Sequence, residues 1–388
     1  MKKRGILKAF LLLLAVLCTS VLSSCARRAK SEPTDMLAYC TDEGLFLSDA
    51  DGSNASLAVK GSHISKIFFS EDGRYIVYNN SNDVFFYDRE TAKSDFLTAN
   101  ARCVAFTNGK AVLLTATQGV LLADPALHTL ETAIPQPKDG YISAVCPSPV
   151  EGTRFAYSVC YSDAGREYYK AFCITSSDTG DVLAFTPKEI CGDPNGMPLP
   201  LFWSENGSTV IFSCPVSPGS PSMLYSLAIA DSSPARLAGT KTFQLENGGL
   251  LSLTSYAAMS VSKVSASGSY IALIDRGDLS VSLLSTEAAP DALSVSPDGS
   301  TVSYSSDGSV YVSSSGRTLF ICGGGYTSPS FSPDGLRIYS VFPGEDISLC
   351  RSNANSAGAE VIVSGLRSPD PYYDEEFADL YEFYYVKQ

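Results

Sequence analysis

Histidine and tryptophan are almost absent from this sequence. The 388 residues include only two histidines, His63 and His128, and a single tryptophan, Trp203. A Ser-His-Asp or Cys-His mechanism requires a histidine beside its nucleophile, and both histidines lie in segments typical of surface loops. No Gly-x-Ser-x-Gly motif stands between a strand and a helix. Because no catalytic constellation is visible, we predict that the protein is not an enzyme.

Amphipathic helical patterns are also missing, and charged residues make up only 18% of the chain. The 30 glycines and 21 prolines instead favour a β-domain with many turns, and helical solenoids are excluded. The formal net charge is −13, and an acidic surface repels nucleic acid. We therefore expect no nucleic-acid partner.

A short turn recurs along the chain, and Ser332-Pro333-Asp334-Gly335 is its clearest copy. Asp and Asn tolerate the left-handed backbone region, Gly supplies positive φ, and Pro presets φ. Runs of β-branched and aromatic residues follow the turns, as in Tyr75-Ile76-Val77-Tyr78, and are typical of strands. A repeat of about 40 residues with several short strands predicts a radial β-architecture. The turn glycines are Gly73, Gly109, Gly152, Gly207, Gly268, Gly299 and Gly335.

The pattern Phe/Ser-Ser-Pro-Asp-Gly-x-x-Ile/Val-x-Tyr resembles the WD-repeat-like units of the TolB-type β-propeller family. The resemblance covers roughly residues 36–388 and is clearest at Gly73, Gly299 and Gly335. It implies a toroidal all-β propeller domain over residues 36–388, usually with a binding role. It does not imply a particular ligand.

The first and last strands are predicted to share one blade. Residues 36–61 contain three strand-like runs of a blade but no first strand. The run Leu380-Tyr381-Glu382-Phe383-Tyr384-Tyr385-Val386 is the natural donor of that strand, because its pairing with the first blade removes two exposed edges. This count predicts eight four-stranded blades. Seven blades remain an alternative, because the unit near Ser262 is short and residues 241–258 have no clear partner.

Residues 1–24 have the features of a targeting segment. Four basic residues precede an apolar run from Phe10 to Leu17, which is too short to span a membrane. The following Leu22-Ser23-Ser24-Cys25 resembles the bacterial lipobox, which implies cleavage before Cys25 and a diacylglycerol on its thiol. An ordinary cleaved signal peptide is the alternative. The lipobox predicts a lipid anchor at the extracytoplasmic face of a cell membrane, with residues 25–35 as lipidated Cys25 and tether.

Nine cysteines follow Cys25, and their spacing contains no C-x-x-C motif of the kind that zinc or redox sites use. We therefore predict no metal site and no cofactor. Most of them lie in strand-like runs and suit a buried core, but an exported chain also permits disulfides. Both alternatives stay open. The densest cluster is Cys146, Cys160, Cys173 and Cys191.

These features favour a protein-binding or scaffolding module at a bacterial cell envelope. Its predicted partners are the membrane, through the lipid on Cys25, and an envelope protein, while a glycan is possible. An envelope enzyme or sensor component that binds a polysaccharide or peptide in the propeller channel is the alternative. Loops at one rim of the ring are the predicted contact surface. The candidate residues are Tyr161, Tyr168, Tyr169, Pro194, Asn195, Pro215 and Pro218.

Overall fold

The computed structural model describes most of the chain after residue 34. The described ranges are 35–163, 166–176, 182–215, 222–230, 233–237, 240, 243–245, 251–263, 268–286, 288–315, 317–369 and 380–384. The predicted targeting segment, Cys25 and Pro218 lie outside them. Almost every regular element in the described ranges is a β-strand. None of the helices described there combines the length and the apolar character that a membrane crossing requires.

The strands form antiparallel blades around a ring, and each blade has an innermost and an outermost strand. The first blade takes its innermost strand from the C-terminus, and blades two to four follow in chain order. Blade one contains β33 (Tyr381–Tyr384), β1 (Met36–Cys40), β2 (Gly44–Asp49) and β3 (Ser56–Lys60). Blade two contains β4 (Ile64–Phe69), β5 (Tyr75–Asn80), β6 (Asp83–Asp88) and β7 (Lys93–Thr98). Blade three contains β8 (Ala101–Thr107), β9 (Lys110–Thr115), β10 (Gly119–Asp124) and β11 (Thr129–Pro135). Blade four contains β12 (Tyr141–Pro147), β13 (Arg154–Asp163), β14 (Arg166–Ser176) and β15 (Val182–Phe185).

Blades five and six are joined into one nine-stranded sheet. Blade five contains β16 (Leu199–Trp203), β17 (Thr209–Pro215), β18 (Ser222–Ala228) and β19 (Ala235–Arg236). Blade six contains β20 (Phe243–Leu245), β21 (Leu251–Leu253), β22 (Tyr256–Lys263), β23 (Ser269–Asp275) and β24 (Val281–Ser285). Both β20 and β21 pair with the same edge of β22, so together they are the innermost strand of blade six. Among the described residues, the strand pairing between the two blades is the single residue pair of Ser222 with Leu245.

Blades seven and eight have the regular four strands, and a short helix lies between blades four and five. Blade seven contains β25 (Ala292–Val295), β26 (Thr301–Ser306), β27 (Ser309–Ser314) and β28 (Arg317–Gly323). Blade eight contains β29 (Thr327–Phe331), β30 (Arg337–Pro343), β31 (Ile347–Asn353) and β32 (Glu360–Ser364). The helix, α1, comprises Pro187–Cys191. The described strands thus form eight blades, which confirms the first of the two predicted counts.

The prediction that the C-terminal strand completes blade one is confirmed by the pairing of β33 with β1. The antiparallel register runs from Met36 opposite Tyr384 to Tyr39 opposite Tyr381. The hydrophobic core then consists of eight clusters, one at each contact between neighbouring blades. One of them joins Tyr339 and Val341 of blade eight to Leu37 of blade one. Burial between neighbours therefore continues around the whole ring.

The recurring turn closes through its serine and its aspartate. Ser296 Oγ donates to Asp298 Oδ1 (2.7 Å) and accepts from the backbone N–H of Thr301 (3.1 Å). The same two contacts occur at Ser332, whose hydroxyl donates to Asp334 and accepts from the N–H of Arg337. These turns join the first and second strands of their blades. A buried hydroxyl with both roles filled explains why serine opens the motif.

The assignment of Gly268 to the recurring turn between first and second strands was wrong. Gly268 lies between β22 and β23, the second and third strands of blade six, with φ of 130°. The first turn of that blade is instead formed by Thr254 and Ser255, which lack the Ser-Pro-Asp-Gly signature. Within residues 241–258, β20 and β21 therefore supply the innermost strand, and the unit near Ser262 is a complete blade.

We expect Gly299→Ala to destabilise the protein more than Gly335→Ala. Both glycines have nearly the same positive φ, 67° and 69°, which costs an alanine about 1 kcal/mol. A Cβ at Gly299 would lie 2.2 Å from the Tyr256 ring, whereas the nearest atom to one at Gly335 is 3.6 Å away, on Pro297. The steric conflict adds about 1–3 kcal/mol at Gly299 alone. Urea unfolding of both variants measures this difference, and equal midpoints would contradict it.

Candidate binding surface

The ring has two faces, which differ in the connections that they carry. The turn face carries the connections between first and second strands and between third and fourth strands of each blade. The opposite face carries the connections between second and third strands and the links between blades. Because β1 is the second strand of blade one, the chain enters the described structure at Asp35 on the turn face. The Asp35 carbonyl accepts from the N–H of Ala50, in the turn that follows β2.

Blades four and five carry the most elaborate connections on the opposite face. Strands β13 and β14 have 10 and 11 residues, more than any other described strand. Residues 186–198 link blade four to blade five and include α1. The end of β17 reaches the same face at Pro215. We call the outer ends of the paired strands β13 (161–163) and β14 (166–169), residues 186–198 and Pro215 the blade 4/5 rim.

Local chemistry forms the helix of this rim. Thr186 is its N-cap: Thr186 Oγ1 accepts from the N–H of Glu189, and the Glu189 carboxylate accepts from the N–H of Thr186 (2.7 Å). Pro187 occupies the first turn, and Gly192 ends the helix with φ of 82°. These bonds with Thr186 lower the pKa of Glu189. The Thr-Pro-x-Glu signal is visible in the sequence, but no helix was predicted at this position.

The loop after α1 is tied to both blades. Asp193 Oδ1 accepts from the backbone N–H of Asn195 (2.8 Å) and from its side-chain amide (3.0 Å). The Met197 N–H donates to the Pro215 carbonyl (3.2 Å) at the end of β17. On the other side, Ser158 Oγ in β13 donates to the Pro198 carbonyl. The loop from Asp193 to Pro198 therefore has a defined backbone conformation.

The structure brings most of the predicted contact residues together at this rim. Tyr161 is exposed and pairs in register with Tyr168, while Tyr169 lies opposite Cys160. Pro194 and Asn195 are exposed in the loop after α1. Pro215 is buried and contributes its carbonyl rather than an exposed ring. Pro218 lies outside the described residues.

A buried network near the turn face joins blades four, five and six. Trp203 is fully buried, and its Nε1–H donates to the Cys146 carbonyl (3.0 Å). The Trp203 carbonyl accepts from Arg276 Nε (2.9 Å), which links blade five to blade six. Burial lowers the pKa of Arg276. Trp203 thus stabilises the contact between blades and is not available to a ligand.

A groove of about 440 Å³ lies on the turn face between blades seven and eight. Asp298 and Asp334 line it. Both carboxylates already accept hydrogen bonds within their own turns, and these bonds lower the pKa of each group. The carboxylates of Asp298 and Asp334 therefore stabilise their own turns through hydrogen bonds. In the described part of the chain, no group of three or more His, Cys, Asp or Glu residues is arranged to hold a metal ion.

Glu382 is a half-buried carboxyl on the innermost strand of blade one. It alternates with Tyr381 and Phe383, which pack against blade eight, so Glu382 lies on the face toward blade two. Its Oε1 accepts from the N–H of Phe383 (3.2 Å). Burial raises the pKa of Glu382 from 4.5 to about 7. Glu382 therefore exchanges its proton near neutral pH, on a strand next to the centre of the ring.

We expect Glu382→Gln to remove part of the pH dependence of stability. The folded state holds the Glu382 proton where the unfolded chain releases it, so the free energy of unfolding falls as pH rises from 4.5 to about 7. The decrease is at most about 3 kcal/mol. Urea unfolding at about pH 5 and at about pH 8 measures this decrease in the free energy of unfolding. Glu345→Gln, which changes an exposed residue, is the control. The same slope in wild type and Glu382→Gln would contradict this expectation.

Solved structures resemble this chain in fold. Dihydro-haem d1 dehydrogenase NirN in complex with DHE has a TM-score of 0.59 at 14% identity, over 88% of this chain and 75% of that chain. Oligogalacturonate lyase from Vibrio parahaemolyticus has a TM-score of 0.55 at 10% identity, covering 83% and 97%. Apo AztD from Citrobacter koseri has a TM-score of 0.54 at 14% identity, covering 84% and 93%. No protein-family model matches the sequence, and no curated protein matches it.

These likenesses define the class of the protein as a β-propeller. At such low sequence identities, these structures show only that the folds are similar. The prediction that the protein is not an enzyme is corrected, because propellers of this shape include a lyase and a dehydrogenase and the fold therefore does not exclude catalysis. A missing histidine-based constellation excludes one kind of mechanism and leaves catalysis by other groups open.

Proposed function

We propose that this protein is a lipid-anchored TolB-type β-propeller on the extracytoplasmic face of a bacterial membrane, and that it binds an envelope protein through the blade 4/5 rim. The observation that carries this proposal is that the rim and Asp35 lie on opposite faces of the ring. A protein tethered at Cys25 would therefore present the rim away from the membrane.

The length of the tether supports this orientation. Residues 26–34 separate Cys25 from the described structure, and an extended chain spans at most about 3.5 Å per residue. The turn face is thus held within about 30 Å of the lipid surface. The rim, on the far side of the ring, is the more accessible face to a protein partner.

The chemistry of the rim suits a protein partner. Exposed Tyr161 supplies aromatic surface, and aromatic residues are enriched in the buried centre of protein interfaces. Pro194 and Asn195 lie in a loop that hydrogen bonds already fix. A surface that is ordered before binding loses little conformational entropy on association.

Site-specific photo-cross-linking tests this proposal. A photoreactive phenylalanine analogue replaces Tyr161 or Asn195 in the full-length protein in its native membrane. Leu336, which is 66% exposed on the turn face, is the matched control position. We expect one specific adduct with an envelope protein from the two rim positions and none from position 336. An adduct from position 336 alone, or from no position, would contradict binding through the rim.

The second candidate is an envelope enzyme or sensor component that binds a polysaccharide or peptide in the channel. Glu382 favours it, because a carboxyl with a pKa near 7 suits a general acid. Calorimetric titration with neutral and acidic oligosaccharides tests this function. Binding by the wild type that is lost in Glu382→Gln but kept in Glu345→Gln would support it, and equal binding by both variants would contradict it.

A further inference from the structure

Two cysteine side chains meet at Gly196 in the blade 4/5 rim. A Cβ atom at Gly196 would lie 2.5 Å from Cys191 Sγ and 3.0 Å from Cys214 Sγ. One point in space is therefore within contact distance of both sulphur atoms. Cys191 is the last residue of α1, and Cys214 precedes the final residue of β17. The two thiols thus come from different elements and converge on one glycine.

The two thiols differ in how deeply they are buried. Cys214 is fully buried, and burial, together with the neighbouring Cys191, raises its pKa. Cys191 is half-buried, and its Sγ donates to the Pro187 carbonyl (3.2 Å) in the preceding helical turn. Cys191 is thus the more accessible thiol. Only Gly leaves room between them, because any side chain at position 196 would contact both sulphurs.

We propose that Cys191 and Cys214 are a disulfide-forming pair that fastens α1 and the following loop to blade five. This inference deepens the proposed function, since an extracytoplasmic location supplies the oxidising conditions. The bond would hold Pro194 and Asn195 against β17. A covalent link at the base of the rim would then order its contact loop before a partner binds.

The oxidant is a disulfide-bearing molecule, such as oxidised glutathione or a disulfide oxidoreductase. The accessible Cys191 thiol loses its proton to solvent, and its thiolate attacks one sulphur of the oxidant and forms a mixed disulfide. The displaced oxidant thiolate takes up a proton from solvent and leaves as a thiol. The Cys214 thiol then loses its proton to solvent and attacks Cys191 Sγ, which releases the second oxidant thiol. Two protein thiols are oxidised and one oxidant disulfide is reduced. Because the pKa of Cys214 is raised, the second step accelerates with rising pH.

Peptide mapping of the full-length wild-type protein tests the pairing. The purified protein is incubated with oxidised glutathione, alkylated without reduction, digested and analysed by mass spectrometry. We expect one cross-linked species that joins the Cys191 and Cys214 peptides. Alkylation of both cysteines after oxidation would overturn the inference. So would a bond between Cys322 and Cys350, which lie in neighbouring blades, with Cys191 and Cys214 left free.

Thermal unfolding supplies a second readout. A closed loop of about 23 residues raises the unfolding midpoint of a domain of this size by about 4 °C. Reductant should remove this increment in the wild type and in the control Cys103→Ala, but have no effect in Cys191→Ser. A reductant-sensitive shift that persists in Cys191→Ser would count against the pair. If the bond forms in purified protein while both thiols are free in protein taken from cells, the pairing stands and the extracytoplasmic location is contradicted.

Discussion

A chain that ends at residue 379 is expected to lose the native fold. This truncation removes β33, whose pairing with β1 completes blade one. It also removes two buried residues, Leu380 and Tyr381, which are 0% and 6% exposed. Phe383 is lost as well, and the centroid of its ring lies 4.1 Å from the centroid of the Tyr339 ring. Loss of large buried side chains costs about 2–5 kcal/mol each. The combined loss reaches the total stability of a typical domain, about 5–15 kcal/mol.

Circular dichroism and size-exclusion chromatography measure this effect. The truncated chain should show no cooperative thermal transition and should associate through the exposed edge of β1. A synthetic peptide of residues 380–388, added in trans, should restore part of the transition, because it supplies the missing strand. A truncated monomer that melts within a few degrees of the wild type would show that β33 is dispensable.

Cys25→Ser is expected to move the protein from the membrane to the soluble fraction. If Cys25 carries a diacylglycerol, its acyl chains hold the protein to the bilayer, since each buried methylene contributes about 0.8 kcal/mol. Serine has no thiol to modify, so this substitution should abolish the anchor completely. The measurement is membrane fractionation with an alkaline wash, followed by immunoblotting.

Cys18→Ser is the matched control for this experiment. It makes the same change within the predicted signal peptide, on the other side of the predicted cleavage position. We expect Cys18→Ser to remain in the membrane fraction. Retention of Cys25→Ser after the alkaline wash would contradict the lipid anchor, and release of both variants would point to a defect in export.

The propeller and its closure were predictable because their signals are local or compositional. Ser332-Pro333-Asp334-Gly335 encodes its own hydrogen bonds, and the alternating apolar runs after such turns identify strands. The first blade visibly lacked one strand, and β33 supplied it. The innermost strand of blade six was not predictable in this way. It is divided into β20 and β21, and neither part is followed by the repeated turn.

The residues of the candidate binding surface were likewise only partly predictable from the sequence. Tyr161, Pro194 and Asn195 were selected from loop length and composition, and all three are at the rim. Pro215 was selected on the same grounds but is buried, since burial depends on packing against other parts of the chain. The convergence of Cys191 and Cys214 on Gly196 has no counterpart in their spacing.

By itself, the sequence determined the fold class, the repeated turn and the predicted extracytoplasmic location. Hydrogen bonding within a turn and apolar alternation along a strand both act over a few residues. Only the tertiary structure decided that the rim and Asp35 lie on opposite faces, that blade six is complete and that two thiols meet at Gly196. These features depend on how strands far apart in the chain pair and pack, and no local pattern encodes those contacts.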